Sequence, residues 1–183
     1  MSPLKNKITL AVAGALIALS GAMGGGVARA DTALSNTEAS QQVKAQGEIV
    51  LTLDLYGEET HMTLQDLQAL GDESFDTATI WTTGPQRFTG VSLATLVAGL
   101  SLSSEMIEAQ AVNDYSVQIP LSDAVQGGPI IAYKRNGKTM SLRGKGPLWL
   151  VYPYDSNPAY RTEAVYSRSI WQLDRLTVKS ATE

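Results

Sequence analysis

An α+β fold is what this chain of 183 residues predicts. Three observations point to it. Short runs of alternating apolar residues recur along the chain, turn-forming residues punctuate them, and two brief helical patterns with good N-caps interrupt them. A hydrophobic share of 44% with 17% charged residues suits one globular core rather than a disordered or fibrous chain.

The first thirty residues stand apart from the fold. Lys5 and Lys7 open the chain, residues 8–23 are apolar and small, and Ala28-Arg29-Ala30 has the small-x-small form of a signal-peptidase site. The apolar core is short, contains Gly14 and Gly21, and runs into Gly24-Gly25-Gly26, which is poor material for a membrane-spanning helix. Residues 1–30 therefore read as a signal peptide cleaved after Ala30, leaving a periplasmic or secreted protein with no membrane anchor. No twin arginine precedes the apolar core, so the general secretory route, which passes unfolded chains, is expected. Residues 31–47 are rich in Ser, Thr, Gln and Ala and are expected to form a flexible tail, with the domain spanning 48–183.

Within the domain, residues 49–55 alternate enough to predict a strand. Residues 62–70 have helical spacing, with Thr63 as N-cap and Gly71 as terminator. A strand over residues 74–82 is broken by Gly84-Pro85, after which Arg87-Phe88-Thr89 pairs back across the turn. Ser92 caps a second short helix that puts Leu93, Leu96 and Val97 on one face. Strands follow at 107–112, 116–119, 129–133, 148–152 and 170–178, with turns at Asn113-Asp114 and Asn136-Gly137 and a short helical piece at 121–125. No repeat with a period of 20 to 50 residues occurs, and no Gly-rich phosphate loop sits between a strand and a helix.

Composition excludes much chemistry. Fourteen Lys and Arg against 18 Asp and Glu give a net charge of −4, against a nucleic-acid binder with a broad basic face. The absence of cysteine removes disulfides, iron–sulfur clusters, thiolate ligands and thiol nucleophiles. His61 is the single histidine, follows Glu58-Glu59-Thr60 and is expected in solvent; no multi-histidine metal site can be built, and no base is placed for a Ser or Thr nucleophile. Asp72, Glu73 and Asp76 lack the spacing of a calcium loop.

Phe88-Thr89-Gly90-Val91-Ser92-Leu93-Ala94-Thr95-Leu96 resembles the aromatic-x-Gly-Val-x-Leu-x-x-Leu element of the oxidoreductase molybdopterin-binding domain, the catalytic domain of sulfite oxidase and its bacterial relatives. Further blocks follow in that family's order. They are Gly128-Pro129-Ile130-Ile131-Ala132-Tyr133, then Asn136-Gly137-Lys138-Thr139-Met140, Gly146-Pro147-Leu148-Trp149-Leu150-Val151-Tyr152-Pro153, and Ser169-Ile170-Trp171-Gln172-Leu173-Asp174-Arg175-Leu176. The resemblance covers residues 48–179 and implies the sulfite-oxidase-type molybdopterin-binding fold, an α+β domain with mixed β-sheet, short helices and a pterin held by loops.

Two departures bear on what the resemblance implies. In the family a cysteine shortly before the Gly-Val element binds molybdenum, whereas residues 77–83 here offer Thr, Ala, Ile and Trp. A threonine hydroxyl is far too weak an acid to stand in for a thiolate. The family's His-Gly-x-Pro-Leu-Arg element is replaced by Gly144-Lys145-Gly146-Pro147-Leu148-Trp149, with neither the His nor the Arg. The family also implies that relatives bearing the cofactor are loaded in the cytoplasm and exported folded, through twin-arginine signals. The expectation is therefore no bound molybdopterin and no visible catalytic residue. The competing reading keeps a molybdopterin-dependent oxidoreductase of the sulfite oxidase type.

What remains is an aromatic and basic concentration near the chain's end. Trp149, Tyr152, Tyr154, Tyr160, Tyr166 and Trp171 lie close to Arg143, Lys145, Arg161 and Arg168. Aromatic faces beside arginines suit a small anionic or aromatic ligand, or a periplasmic sensor protein as partner; the alternative is that the rings fill the core. The loop 153–161, with two prolines, is the most distinctive segment, and Tyr154, Asp155 and Arg161 are its candidate binding residues. Arg143 and Lys145 join them, with Trp81, Thr82, Asn113, Asp114 and Tyr115 as further candidates.

Overall fold

A computed structural model describes residues 47–98 and 106–179. The expected signal peptide and most of the expected tail lie outside the described residues.

Strand β1 (Ile49–Leu55) puts Leu51 and Leu53 into the core and turns at Tyr56-Gly57 into β2 (Glu58–Thr63). Both turn residues have positive φ, 57° and 91°, as a two-residue hairpin turn requires. Strand β2 was not expected as a strand. Its residues Glu58 to His61 are exposed and polar, as an edge strand must be to resist further pairing, so it shows no apolar alternation. Helix α1 (Leu64–Ala69) follows with Thr63 as N-cap in a full capping box: Asp66 N–H donates to Thr63 Oγ1 at 3.2 Å and Thr63 N–H to Asp66 Oδ2 at 2.9 Å. The Thr63 hydroxyl, donating to Asp66 Oδ2 at 2.7 Å, and after it the Thr63 N–H hold the Asp66 carboxyl below its usual range.

Strands β3 (Glu73–Ala78) and β4 (Pro85–Ser92) form the second hairpin, with β3 ending at Ala78 rather than at Thr82 because Thr79 to Thr82 bond among themselves in the loop, and Ser92 caps α2 (Leu93–Val97), as the sequence predicts. The remaining strands are β5 (Met106–Ala111), β6 (Ser116–Pro120), β7 (Ile130–Arg135), β8 (Lys138–Thr139), β9 (Trp149–Val151) and β10 (Leu173–Val178). Helix α3 (Glu163–Arg168) was not expected: six residues with only Val165 buried carry too little periodicity to read.

The described strands make two sheets rather than one. The first runs β2-β1-β10-β5-β6 and is mixed, because β1 and β10 are parallel; the second runs β3-β4-β7-β8, with β9 on β7, and is antiparallel. One core cluster draws on both, from Leu51 and Leu176 to Phe88, Ile131 and Trp149. Backbone bonds join the sheets where β9 meets the approach to β10, Leu150 N–H to Ile170 O at 2.9 Å and Leu173 N–H to Leu148 O at 3.0 Å.

Two glycines explain conspicuous positions. At Gly90 a Cβ would lie 2.1 Å from Ile131 O, so the β4–β7 approach admits no side chain. At Gly146 it would lie 1.9 Å from Met140 O.

Candidate functional site: an aromatic cleft

The β3–β4 loop is a rigid platform for one tryptophan. Thr79 Oγ1 accepts the Trp81 backbone N–H at 3.1 Å and is bonded to Thr82 Oγ1 at 2.9 Å, while Gln86 Nε2 donates to Thr83 O at 2.9 Å. Trp81 thereby meets three rings edge-on: Trp171 at 5.6 Å, Trp149 at 5.9 Å and Tyr166 at 6.0 Å between centroids. Trp149 is fully buried, with Nε1 donating to Ser169 O at 3.3 Å. The indole N–H groups of Trp81 and Trp171 have no hydrogen-bond partner among the described residues.

Trp81, Tyr166 and Trp171 wall a cleft of about 280 Å³. Asn113 and Tyr115, from the β5–β6 turn, close one side, and Ser167 and Ser169 line it at the end of α3 with their hydroxyls turned inward, donating to Ala164 O at 2.8 Å and Val165 O at 3.3 Å. Tyr115 is 55% exposed, a large ring left in solvent at the rim.

Lys145 lies behind this wall. It caps the 3₁₀ turn Leu142–Gly144 in the left-handed conformation, φ 76°, and holds Nζ 3.5 Å from the Trp171 ring centroid and 5.4 Å from that of Trp149. Burial, and then the charge of Arg135, lower its pKa. Arg143 is exposed on the same turn.

The loop 153–161 departs from expectation. Tyr154, expected to be presented at the surface, is 1% exposed, and its hydroxyl is hydrogen-bonded to Ser169 Oγ. A tyrosine ring gains from burial once its hydroxyl has an internal partner, and burial pushes the Tyr154 hydroxyl up to about 12. Asp155 fastens the loop to the end of β3. Its Oδ2 accepts Ala78 N–H at 2.7 Å, its own N–H donates to Thr77 Oγ1 at 3.1 Å, and its Oδ1 accepts from Arg161 at 2.6 Å. Arg161 Nε donates to Tyr154 O at 3.0 Å. Asp155 and Arg161 are thus spent on each other and on the backbone.

Of the residues singled out in the sequence, Trp81, Asn113 and Tyr115 come together at the cleft, with Thr82 in the platform. Asp114 turns away with φ 65° and accepts from Gln110 Nε2 at 3.0 Å. Tyr166 and Trp171 stood among the sequence's aromatics, but nothing in the chain separated them from the core rings Trp149 and Tyr152. His61 is exposed, as expected.

The family model for the oxidoreductase molybdopterin binding domain matches residues 42–156. The chain belongs to this family. Among solved structures, the sulfane dehydrogenase SoxCD from Paracoccus pantotrophus is similar in fold, with a TM-score of 0.55 at 17% identity. The match covers 74% of this chain and 39% of that one, so this chain spans well under half the length of that neighbour. A search of curated proteins finds no match. The sulfite-oxidase-like fold of the molybdopterin-binding domain family expected from the sequence is thereby borne out. Gly90, in the family's Gly-Val element, is the glycine that the β4–β7 approach demands.

The donors present do not fit the family's metal. The sequence holds no cysteine, and the β3–β4 loop offers hydroxyls already bonded within the loop. Among the described residues no group of three His, Asp or Glu side chains could hold an ion. Oxygen donors of this kind lack the softness that thiolate ligation supplies.

Proposed function

We propose that this chain is an exported, non-catalytic binding member of the molybdopterin-binding domain family, and that its aromatic cleft takes a small flat ligand. The observation that carries this reading is the cleft itself. Three rings hold about 280 Å³ open, with indole N–H donors unpartnered among the described residues and the Asn113 amide at its margins. That volume, near the lower end of small-molecule pockets, suits one or two fused rings, with rim donors and acceptors to orient a heteroatom edge. The cleft lining contains no Lys or Arg, which favours the aromatic over the anionic ligand class. The competing oxidoreductase reading has to find a metal ligand that the donor set does not supply.

Tryptophan-fluorescence titration with pterin, guanine and indole as probes tests the proposal. Saturable quenching by at least one heteroaromatic probe is expected, weakened about tenfold or more in Trp81→Ala, because stacking area is the main contribution removed. Unchanged affinity in a folded Trp81→Ala protein would contradict it. Export follows from residues 1–30, and N-terminal sequencing of the mature protein is expected to begin at Asp31.

A further inference from the structure

A second feature lies outside the aromatic cleft and shares no lining residue with it. Among the described residues, every Lys or Arg outside the stretch 134–145 has a carboxylate partner: Arg87 with Asp76, Arg161 with Asp155, Arg168 with Asp123, Arg175 with Glu59, and Lys179 with Glu108. Inside that stretch Lys134, Arg135, Lys138, Arg143 and Lys145 have none among the described residues. The chain contains no Asp or Glu between Asp123 and Asp155, although its net charge is −4.

The strand register sharpens the contrast. Arg135 and Lys138 are direct partners across the β7–β8 hairpin, an arrangement that ordinarily costs stability and that a carboxylate at either position would relieve. Arg135 also repels Lys145, whose pKa falls partly for that reason. Arg135 and Lys138 line an open groove of about 560 Å³ together with Thr139, Ser141 and Gly144. Ser141 Oγ accepts Gly144 N–H at 3.2 Å, which leaves its O–H free to donate outward. Asn136 is occupied: its amide oxygen accepts Arg87 N–H at 2.9 Å and its NH₂ donates to Gln86 at 2.7 Å, fixing the hairpin beneath the groove.

We propose that the β7–β8 hairpin and the following 3₁₀ turn form a binding site for a phosphate-bearing anion. Arg135 supplies a planar fork, Lys138 a point charge, and Thr139 and Ser141 hydroxyl donors, a set matched to several oxygens on one multivalent centre. Leu142, 53% exposed at the tip of the turn between Ser141 and Arg143, bears on the source of that phosphate. An exposed leucine among unpaired cations suits insertion beside a lipid headgroup, and a soluble phosphate has no use for it.

The test has two arms, calorimetry with inorganic pyrophosphate and cosedimentation with phosphatidylglycerol vesicles against phosphatidylcholine vesicles. Binding in at least one arm is expected, falling as salt rises and weakened about tenfold or more in Arg135→Gln/Lys138→Gln, with Lys179→Gln unaffected. Vesicle binding that Leu142→Ser reduces assigns the headgroup; pyrophosphate binding indifferent to Leu142→Ser, without vesicle binding, assigns a soluble phosphate. Lys138→Glu gives the cross-strand pair opposite charges, so it raises the Tm of the free protein and abolishes any rise caused by pyrophosphate. No binding in either arm, or binding that the double variant retains, would overturn the proposal.

Discussion

The loop that follows β3 and the loop that follows β9 start from similar material and end in opposite roles. Each places an aromatic residue among small polar ones, and the two are joined at their base by Asp155 and the Ala78 N–H. In the first, Trp81 remains half-buried at the cleft with its indole N–H unpartnered. In the second, Tyr154 is inside with its hydroxyl on Ser169. The difference shows that an internal partner for the polar tip decides whether a loop aromatic becomes core or stays at a surface.

Truncation separates the two roles most strongly. Tyr154→Ala is expected to cost about 3–5 kcal/mol in denaturant unfolding, as for a large buried ring. Trp81→Ala, only half-buried, is expected to cost about 1–2 kcal/mol while weakening the affinity read by ligand quenching about tenfold or more. Equal costs would dissolve the contrast. Next comes the hydroxyl alone: Tyr154→Phe removes a buried bond but keeps the ring, for a loss of about 1 kcal/mol.

Alkaline pH extends that comparison. Burial is the leading cause of the raised pKa of Tyr133, Tyr152 and Tyr154, so each is harder to ionise folded than unfolded. Their contribution is complete below the unfolded value of about 10 and is lost as pH rises through the folded values. Stability is therefore expected to decline above about pH 10, and Tyr154→Phe to make the decline shallower up to about pH 12; an unchanged slope would place the Tyr154 hydroxyl in water. The smallest expected effect lies at the latch. The Ala78 N–H, and after it Arg161, hold the Asp155 carboxyl below its usual range, so its contribution is present above about pH 4 and fades as pH falls through the folded value. Asp155→Asn should remove part of that acid dependence and cost under about 1 kcal/mol, because its side chain is 38% exposed.

Legibility in the sequence followed local chemistry. The Thr63 and Ser92 caps, the Gly84-Pro85 break and the Asn136-Gly137 turn were readable because each depends on residues within a few positions. Strand β2 was not, because a polar edge strand lacks the periodicity that marks buried ones. The cleft was half legible. Trp81 and Asn113 stood out by position, but Trp171 and Trp149 are the same residue type in the same aromatic stretch. Only the tertiary fold gives one a rim and the other Ser169 O. The cationic groove was not read from the sequence: Arg143 and Lys145 stood out only beside the aromatics, and the groove depends on the Arg135–Lys138 register, which pairing alone reveals.

The central claim is that the family fold persists here without molybdenum chemistry, and the most direct measurement is molybdenum content per chain in mature protein. It should be recovered from the exported fraction of cells that load a control molybdoenzyme. We predict a trace far below stoichiometric. One molybdenum per chain would contradict the account and direct attention to an unexpected ligand near Thr82.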